Sequence, residues 1–354
     1  MRVVVAMSGG VDSSTVAGLL HEAGHEVIGV TLQLYDHGAT VGREGACCAG
    51  SDIRDASRVA ARLGIPHYVI DAEARFRQSV IADFAGSYAA GETPVPCVRC
   101  NQGVKFTDLM QLARDLGAER LATGHYVRRV DGPDGAELHR AADPARDQSW
   151  FLFATTRAQL DFAMFPLGAM PDKATVRAAA ARLGLAVADK PDSQDICFVP
   201  NGSYADMVTR LRPDAGAAGE IVAEDGSVLG SHAGVAHYTV GQAKRLGPAS
   251  QDGQGGRRVV LAVDAARRRV VVGPAVGGER LVRLREVNWL VPPTRRRCTV
   301  KLRARDTPQP AELLPDAELG AAVMLDAPGR PTPGQGCVFY DGERVLGGGF
   351  IQRQ

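Results

Sequence analysis

Three cysteines are placed to do chemistry: Cys97 and Cys100 in Thr93-Pro94-Val95-Pro96-Cys97-Val98-Arg99-Cys100-Asn101, and Cys197 in Ile196-Cys197-Phe198. A Cys-x-x-Cys pair serves as a redox couple, as half of a zinc site, or as part of an iron–sulfur site. No second Cys-x-x-Cys occurs, which rules out a four-thiolate zinc ribbon. Cys47 and Cys48 are adjacent, make a poor chelate, and read as packing or loop residues. Seven cysteines, an odd number spread over 354 residues, argue against a secreted disulfide framework and for reactive or metal-binding thiols.

A second constellation lies at the N-terminus, where Ala6-Met7 close an apolar run and Ser8-Gly9-Gly10-Val11-Asp12-Ser13 follow. A strand that enters a helix through two glycines lets backbone amides approach an anion, and the helix's unpaired N–H groups and partial positive charge complete the site. The loop reads as a pyrophosphate grip. It contains no Lys, whereas a Walker-type loop uses Gly-Lys-Ser/Thr to hold the terminal phosphates. Cleavage of ATP between the α and β phosphates, with AMP passing to an acceptor, fits it better. Activation by adenylation together with thiolates is a kit for inserting sulfur.

The elements that must position these groups follow a cadence of helix, Gly stop and strand. Ile53, Ala56, Ala60 and Leu63 share a face before Gly64 and the strand His67 to Ile70; Leu109, Leu112 and Leu116 do so before Gly117 and the strand Arg120 to Thr123. A third unit is expected through Gly184 into a strand Leu185 to Val187, which would bring Cys197 to a sheet edge. The two prolines before Cys97 are expected to leave an exposed loop. Such alternation signals an α/β, Rossmann-like parallel sheet with ligands at the strands' carboxyl ends.

Past residue 200 short alternating segments dominate. We place a catalytic domain at 1–200, a small, mostly β central domain at 201–280, and a β-barrel at 281–354, with Gln251 to Gly256 as a mobile loop. The chain, 45% hydrophobic and 23% charged, has a formal net charge of only +1, so any nucleic acid must be met by local patches. Arg295, Arg296, Arg297, Lys301, Arg303 and Arg305 form one such run, with the last three expected on one side of a strand. The short first apolar run is neither signal peptide nor membrane span, and the reading is a cytoplasmic protein with no membrane partner.

In order along the chain, the loop at 8–13, Cys97 to Asn101 leading to Lys105-Phe106, Ala122 to Tyr126, Asp147-Gln148-Ser149, Ile196-Cys197-Phe198, Tyr238 to Gln242, Thr332 to Gln335 and Leu346 to Gly349 resemble the tRNA-specific 2-thiouridylases, a branch of the N-type ATP pyrophosphatases. The resemblance implies an adenine nucleotide alpha hydrolase-like fold and the 2-thiolation of a tRNA wobble uridine. ATP would adenylate the C2 oxygen, with sulfur delivered as a persulfide on Cys197 and with Cys100 as its partner. It implies ATP with Mg²⁺ on Ala6, Met7, Ser8, Gly9, Gly10, Val11, Asp12 and Ser13, and Leu32 and Gly124 near adenosine. His125, Arg146, Asp147, Gln148, Arg303 and Gln335 would meet tRNA at its anticodon stem-loop, and a cysteine desulfurase or sulfur relay protein would load the sulfur. Both thiols need nearby positive charge, for which Arg99 and a helix starting near Gly103 are candidates for Cys100.

The chain departs from the family at Cys97, where an Asp proposed as general base is usual. Cys97, Cys100 and Cys197 also match the ligand count of iron–sulfur-dependent tRNA thiolases, so a [4Fe-4S] cluster is the alternative expectation. Ala243 and Ala304 stand where a basic and an aromatic residue are usual. Another ATP pyrophosphatase, or a non-catalytic nucleotide-binding thiol sensor, completes the set of competing readings.

Overall fold

The computed structural model describes residues 1–35, 48–192, 196–199, 203–251, 256–275, 277–316 and 320–353. Cys47 and most of the expected mobile loop lie outside these residues.

Val3, Val4 and Val5 are fully buried, as a strand covered on both faces requires. They build β1 (Arg2–Ala6), the centre of a parallel sheet with β2 (Glu26–Gln33) and β3 (His67–Asp71) on one side and β4 (Arg120–Ala122) on the other; β7 (Ala163–Met164) lies beyond β4. The chain runs outwards from β1 through β2 to β3 and then returns to the other side of β1 as β4. The crevice at the carboxyl end of β1 is the switch point where such sheets bind ligands.

Two expectations are corrected here. The third unit makes no strand: Leu185 and Val187 are buried beside the helix Val11–Glu22, but backbone bonds Ala188 N–H to Leu185 O and Lys190 N–H to Val187 O turn the chain instead. The fifth sheet position goes to β7, and Cys197 follows no strand. Nor is the Cys-x-x-Cys an exposed loop. Pro96 occupies the first helical turn, where its missing N–H and fixed φ do no harm, and Pro96–Cys100 is α-helical.

The helix continues as a π-helix, Asn101–Asp108, and then as the α-helix Leu109–Asp115. It therefore starts at Pro96, not near Gly103.

The central domain holds a four-stranded sheet of β8 (Gly219–Ala223), β9 (Val228–His232), β10 (Arg258–Asp264) and β11 (Arg269–Pro274). Six strands, β12 (Glu279–Trp289) to β17 (Arg344–Ile351), close a barrel through a β12–β17 pairing. Its interior is apolar, with Val282, Leu313, Val323 and Phe339 buried and Cys298 and Cys337 as buried free thiols. The hairpin β5 (Val127–Gly132) and β6 (Gly135–Arg140), from the first domain's chain, joins the barrel sheet beside β17. Trp150 and Phe153 pack in one core with Tyr340, Val345 and Phe350 of the barrel.

The basic run is not one face. β13 (Arg296–Lys301) ends at Lys301, which is buried, and Arg295 and Arg297 are paired with Glu312 and Asp326. Arg303 and Arg305 lie beyond the strand end, so strand alternation does not align them with Lys301.

Candidate active site

The loop after β1 is shaped by its own small residues. Gly9 holds φ at +73°, and a Cβ there would lie 2.1 Å from the Asp52 carbonyl oxygen, so glycine is required both for conformation and for space. Gly10 caps the helix Val11–Glu22 without a side chain in the way, and Ser13 Oγ accepts from the Ser8 N–H at 3.0 Å. Gly124, at the end of β4, lies so close that a Cβ would be 2.9 Å from the Ser13 amide nitrogen and 3.0 Å from the Asp12 Cβ. Leu32 lies near the carboxyl end of β2, partly buried between two cores. The residues expected at the nucleotide are thus gathered on one sheet edge.

Lysines absent from the loop sequence reach it from a distance. Lys173, the first residue of the helix Lys173–Arg182, is buried and donates to Asp12 Oδ1 and Oδ2 at 2.7 and 2.8 Å. Its ammonium also contacts Asp192 Oδ1 at 2.7 Å. Lys190 donates to the Gly9 carbonyl at 3.0 Å, to Asp52 at 2.7 Å and to Asp55 at 2.5 Å, clamping the loop against the helix Cys48–Leu63. The Tyr126 hydroxyl donates to Asp12 Oδ1 at 2.6 Å. Burial opposes the Asp192 charge, but Lys173 and Arg146 outweigh it and hold its carboxyl below the usual range.

The thiols form the second half of the site. Cys97 is exposed and Cys100 buried, one helical turn apart. Cys197 sits in a turn whose Phe198 is wedged edge-on against Phe76 and Phe84, at centroid distances of 5.6 and 5.3 Å. Although part of Cys197 is accessible, protein crowds its sulfur: burial, then the neighbouring Cys100 and Cys97, push its thiol up to about 12. Lys105 and a hydrogen bond with Tyr35 act the other way. Burial also raises Cys100, again against Lys105.

Lys105 is therefore the cation of this centre, and the π-helix explains how. At about 100° per residue an α-helix would carry Lys105 roughly 140° round from Cys100. The wider π winding, roughly 82° per residue, leaves it about 50° away, on the thiol face. Arg99, expected to serve Cys100, turns instead to the barrel, donating to Glu286 at 2.6 and 2.9 Å. Among the described residues, no group of three or more His, Cys, Asp or Glu side chains is disposed to hold a metal ion.

The remaining expected residues divide. His125 pairs through Nδ1 with Thr123 Oγ1 at 2.8 Å, and burial followed by the Lys105 charge lowers it to about 3, so it is neutral. Arg146 is exposed and donates to Asp192 at 2.7 Å. Asp147 accepts from the Ser149 N–H and hydroxyl, and Gln148 accepts from the Tyr126 N–H, so both side chains hold the local turn. Gln335 donates to the Thr93 carbonyl at 3.0 Å, and Arg303 donates to Thr332 Oγ1 at 2.8 Å in the turn whose Pro333 carbonyl accepts from the Thr93 N–H. Sequence reasoning missed the roles of Lys173, Lys190, Asp192 and Lys105. Only Lys105 carried a signal, its fixed distance after Cys100.

Residues 1–201 match the family described as the tRNA methyl transferase HUP domain, residues 206–274 the tRNA methyl transferase PRC-barrel domain, and residues 279–351 the aminomethyltransferase beta-barrel domain. Fold and site define a HUP-domain enzyme with a thiol centre. The tRNA-specific 2-thiouridylase MnmA of Acidiphilium cryptum is 69% identical over 353 residues, 99% of this chain and 100% of the relative. Those of Gluconobacter oxydans and Rhodospirillum centenum are 63% and 60% identical, each over 99% of this chain and over 99% and 92% of the relatives. The chain belongs to the tRNA-specific 2-thiouridylase family. No helix among the described residues is long and apolar enough to cross a membrane.

Proposed function

We propose that this protein is an ATP-dependent tRNA-uridine 2-sulfurtransferase acting on the wobble base in the cytoplasm. The observation that carries the reading is the Lys173 bridge between Asp12 of the glycine loop and Asp192, five residues before Cys197, whose thiol neighbours Cys100 and Cys97. The C2 oxygen of uridine attacks the α-phosphorus of ATP, pyrophosphate leaves along the loop's amides, and an AMP ester replaces a poor leaving group. The terminal sulfur of a persulfide on Cys197 attacks C2 and AMP departs. Cys100 thiolate then attacks the Cys197 sulfur of the resulting disulfide, freeing 2-thiouridine and leaving a Cys100–Cys197 disulfide for an external thiol to reduce. A base splayed out of the anticodon stem-loop is needed to reach the crevice.

Lys173 keeps Asp12 oriented and brings positive charge to where pyrophosphate forms. A Mg²⁺ arriving with the nucleotide would take an Asp12 oxygen, the hard donor at the loop, in competition with Lys173. Neutral His125 and the buried Cys100 thiol, raised by its burial, keep this part of the site free of standing negative charge. Cys97, on the exposed turn of the same helix, is the residue first met by a cysteine desulfurase or sulfur relay protein.

The cluster alternative needs Cys97, Cys100 and Cys197 to converge on iron; their side chains form no metal-holding group in this arrangement, so no step is routed through it. Iron and acid-labile sulfide analysis of anaerobically purified protein tests it. Mass spectrometry of nucleosides from tRNA incubated with protein, ATP and a persulfide source tests the main reading. Gain of 2-thiouridine, lost in Cys197→Ser, is the expected result; no gain under either aerobic or anaerobic conditions refutes it.

A further inference from the structure

Arg99 stands between two site cysteines, yet its side chain serves neither. Its two terminal nitrogens grip the Glu286 carboxylate at 2.6 and 2.9 Å, its Nε lies 3.5 Å from Asp83, and its guanidinium stacks 4.2 Å above the Phe350 ring. Glu286 and Phe350 belong to the barrel. A fork of this kind fixes direction as well as distance, because both parallel bonds must be kept.

Glu286 holds φ at +52°, in the irregularity where the pairing of β12 with β17 shifts register between Arg285 and Asn288. Glycine adopts that backbone freely and an L side chain rarely does. The position nevertheless carries Glu, and the Glu side chain is committed to Arg99. An outlier retained against its own backbone preference points to a functional constraint.

The neighbouring contacts point the same way. Arg285 donates to Glu92 at 2.6 Å, and the Thr93 N–H donates to the Pro333 carbonyl at 2.8 Å. The barrel thus holds the segment entering the Cys97 turn as well as the turn itself. Because Arg99 and Cys100 are consecutive on one rigid helical turn, the Arg99 grip sets the azimuth of the Cys100 sulfur.

We propose that Arg99 and Glu286 form a positioning lock by which the barrel aims Cys100 at the reacting sulfur, so that seating of tRNA on the barrel side is felt at the thiol. The proposal rests on the thiolation reading above. In it both residues act through Cys100 rather than on the nucleotide or the base.

The test uses the full chain as Glu286→Ala, Glu286→Gln and Arg99→Lys. Three quantities are read with saturating tRNA: single-turnover 2-thiouridine formation, pyrophosphate release, and peptide-resolved alkylation of Cys100 by N-ethylmaleimide. Glu286→Ala is expected to slow sulfur transfer about tenfold and to raise Cys100 alkylation. Pyrophosphate release stays within about twofold of the wild type.

Arg99→Lys behaves like Glu286→Ala, since a compact ammonium on a flexible stem lacks the planar fork that fixes direction. Glu286→Gln keeps one bond, falls between, and carries the same readouts if the Ala variant does not fold. A Glu286→Ala protein that transfers sulfur at the wild-type rate overturns the proposal. So does one in which transfer and pyrophosphate release fall together. Failure of the wild type itself to release pyrophosphate with tRNA strikes the underlying reading instead.

Discussion

Lys173 and Asp192 join the two halves of the site: the Lys173 ammonium lies 2.7 Å from Asp192 Oδ1 and 2.7 Å from Asp12 Oδ1. Asp12 belongs to the phosphate loop, and Asp192 lies five residues before Cys197. A single buried cation therefore ties the glycine loop after β1 to the segment that leads to Cys197.

Replacing Lys173 by Met leaves Asp12 and Asp192 facing each other without their shared counter-ion. Loss of one partner from a buried pair is strongly destabilising, about 3 kcal/mol where burial is complete, and less here because Asp12 keeps some solvent. Nucleotide affinity and tRNA-dependent pyrophosphate release are expected to fall about tenfold or more, with Lys173→Arg recovering part of both. Equilibrium nucleotide binding and a pyrophosphate assay check this; unchanged release in Lys173→Met would remove Lys173 from the reaction.

Gly9→Ala puts a methyl group 2.1 Å from the Asp52 carbonyl at a φ of +73°. Strain at such a residue is worth about 1–3 kcal/mol, and the helix beneath must also move. We expect a lower melting temperature and no measurable ATP binding. Gly24→Ala, also at positive φ but with open space around its Cβ, is the control and should lose stability alone.

Lys105→Met removes the one lysine coupled to Cys100, Cys197 and His125 together. Without the charge that favours its thiolate the Cys100 thiol moves further up, so Cys100 alkylation at pH 8 should be measurably slower than in the wild type. Lys105→Arg should stay near wild type. Equal alkylation rates in Lys105→Met and wild type would show that the π winding does not serve the thiols.

His125 is neutral when folded, with its pKa lowered from 6.5 to about 3. Between those values the unfolded chain binds the extra proton, so stability is whole above about pH 6.5 and declines as pH falls towards 3. The slope for one proton is about 1.4 kcal/mol per pH unit. Urea midpoints measured from pH 7.5 to 4.5 should show a limb that is shallower by one proton in His125→Gln. Parallel limbs would mean that His125 titrates normally in the folded state.

Much of this was legible from residue order. The β1 strand, the glycine loop and the closed barrel announce themselves through apolar runs, punctuating glycines and alternation. Cys100 and Cys197 were recognisable because motif spacing survives without coordinates. Lys173 and Lys190 were not, since they reach the loop across more than 160 residues and nothing local marks them.

Arg99 misled for a related reason. A cation beside a thiol in sequence need not face it, and the helix turns this one towards Glu286. The strand expected at Leu185 to Val187 failed because buried aliphatic residues in a short segment pack equally well as a turn. Its place in the sheet went to Ala163–Met164, a two-residue strand too short to show periodicity.

The hairpin β5–β6 lies in the chain of the first domain yet is stitched to the barrel's last strand through Arg344 and His139. Three modules distinguishable in sequence are thereby made into one cooperative unit, because melting the barrel would also strip the partner from a hairpin in the first domain and uncover Trp150 and Phe153. Cutting near residue 280 should yield fragments that aggregate rather than two proteins. In inheritance as in unfolding, the barrel and the domain that carries the glycine loop must travel together.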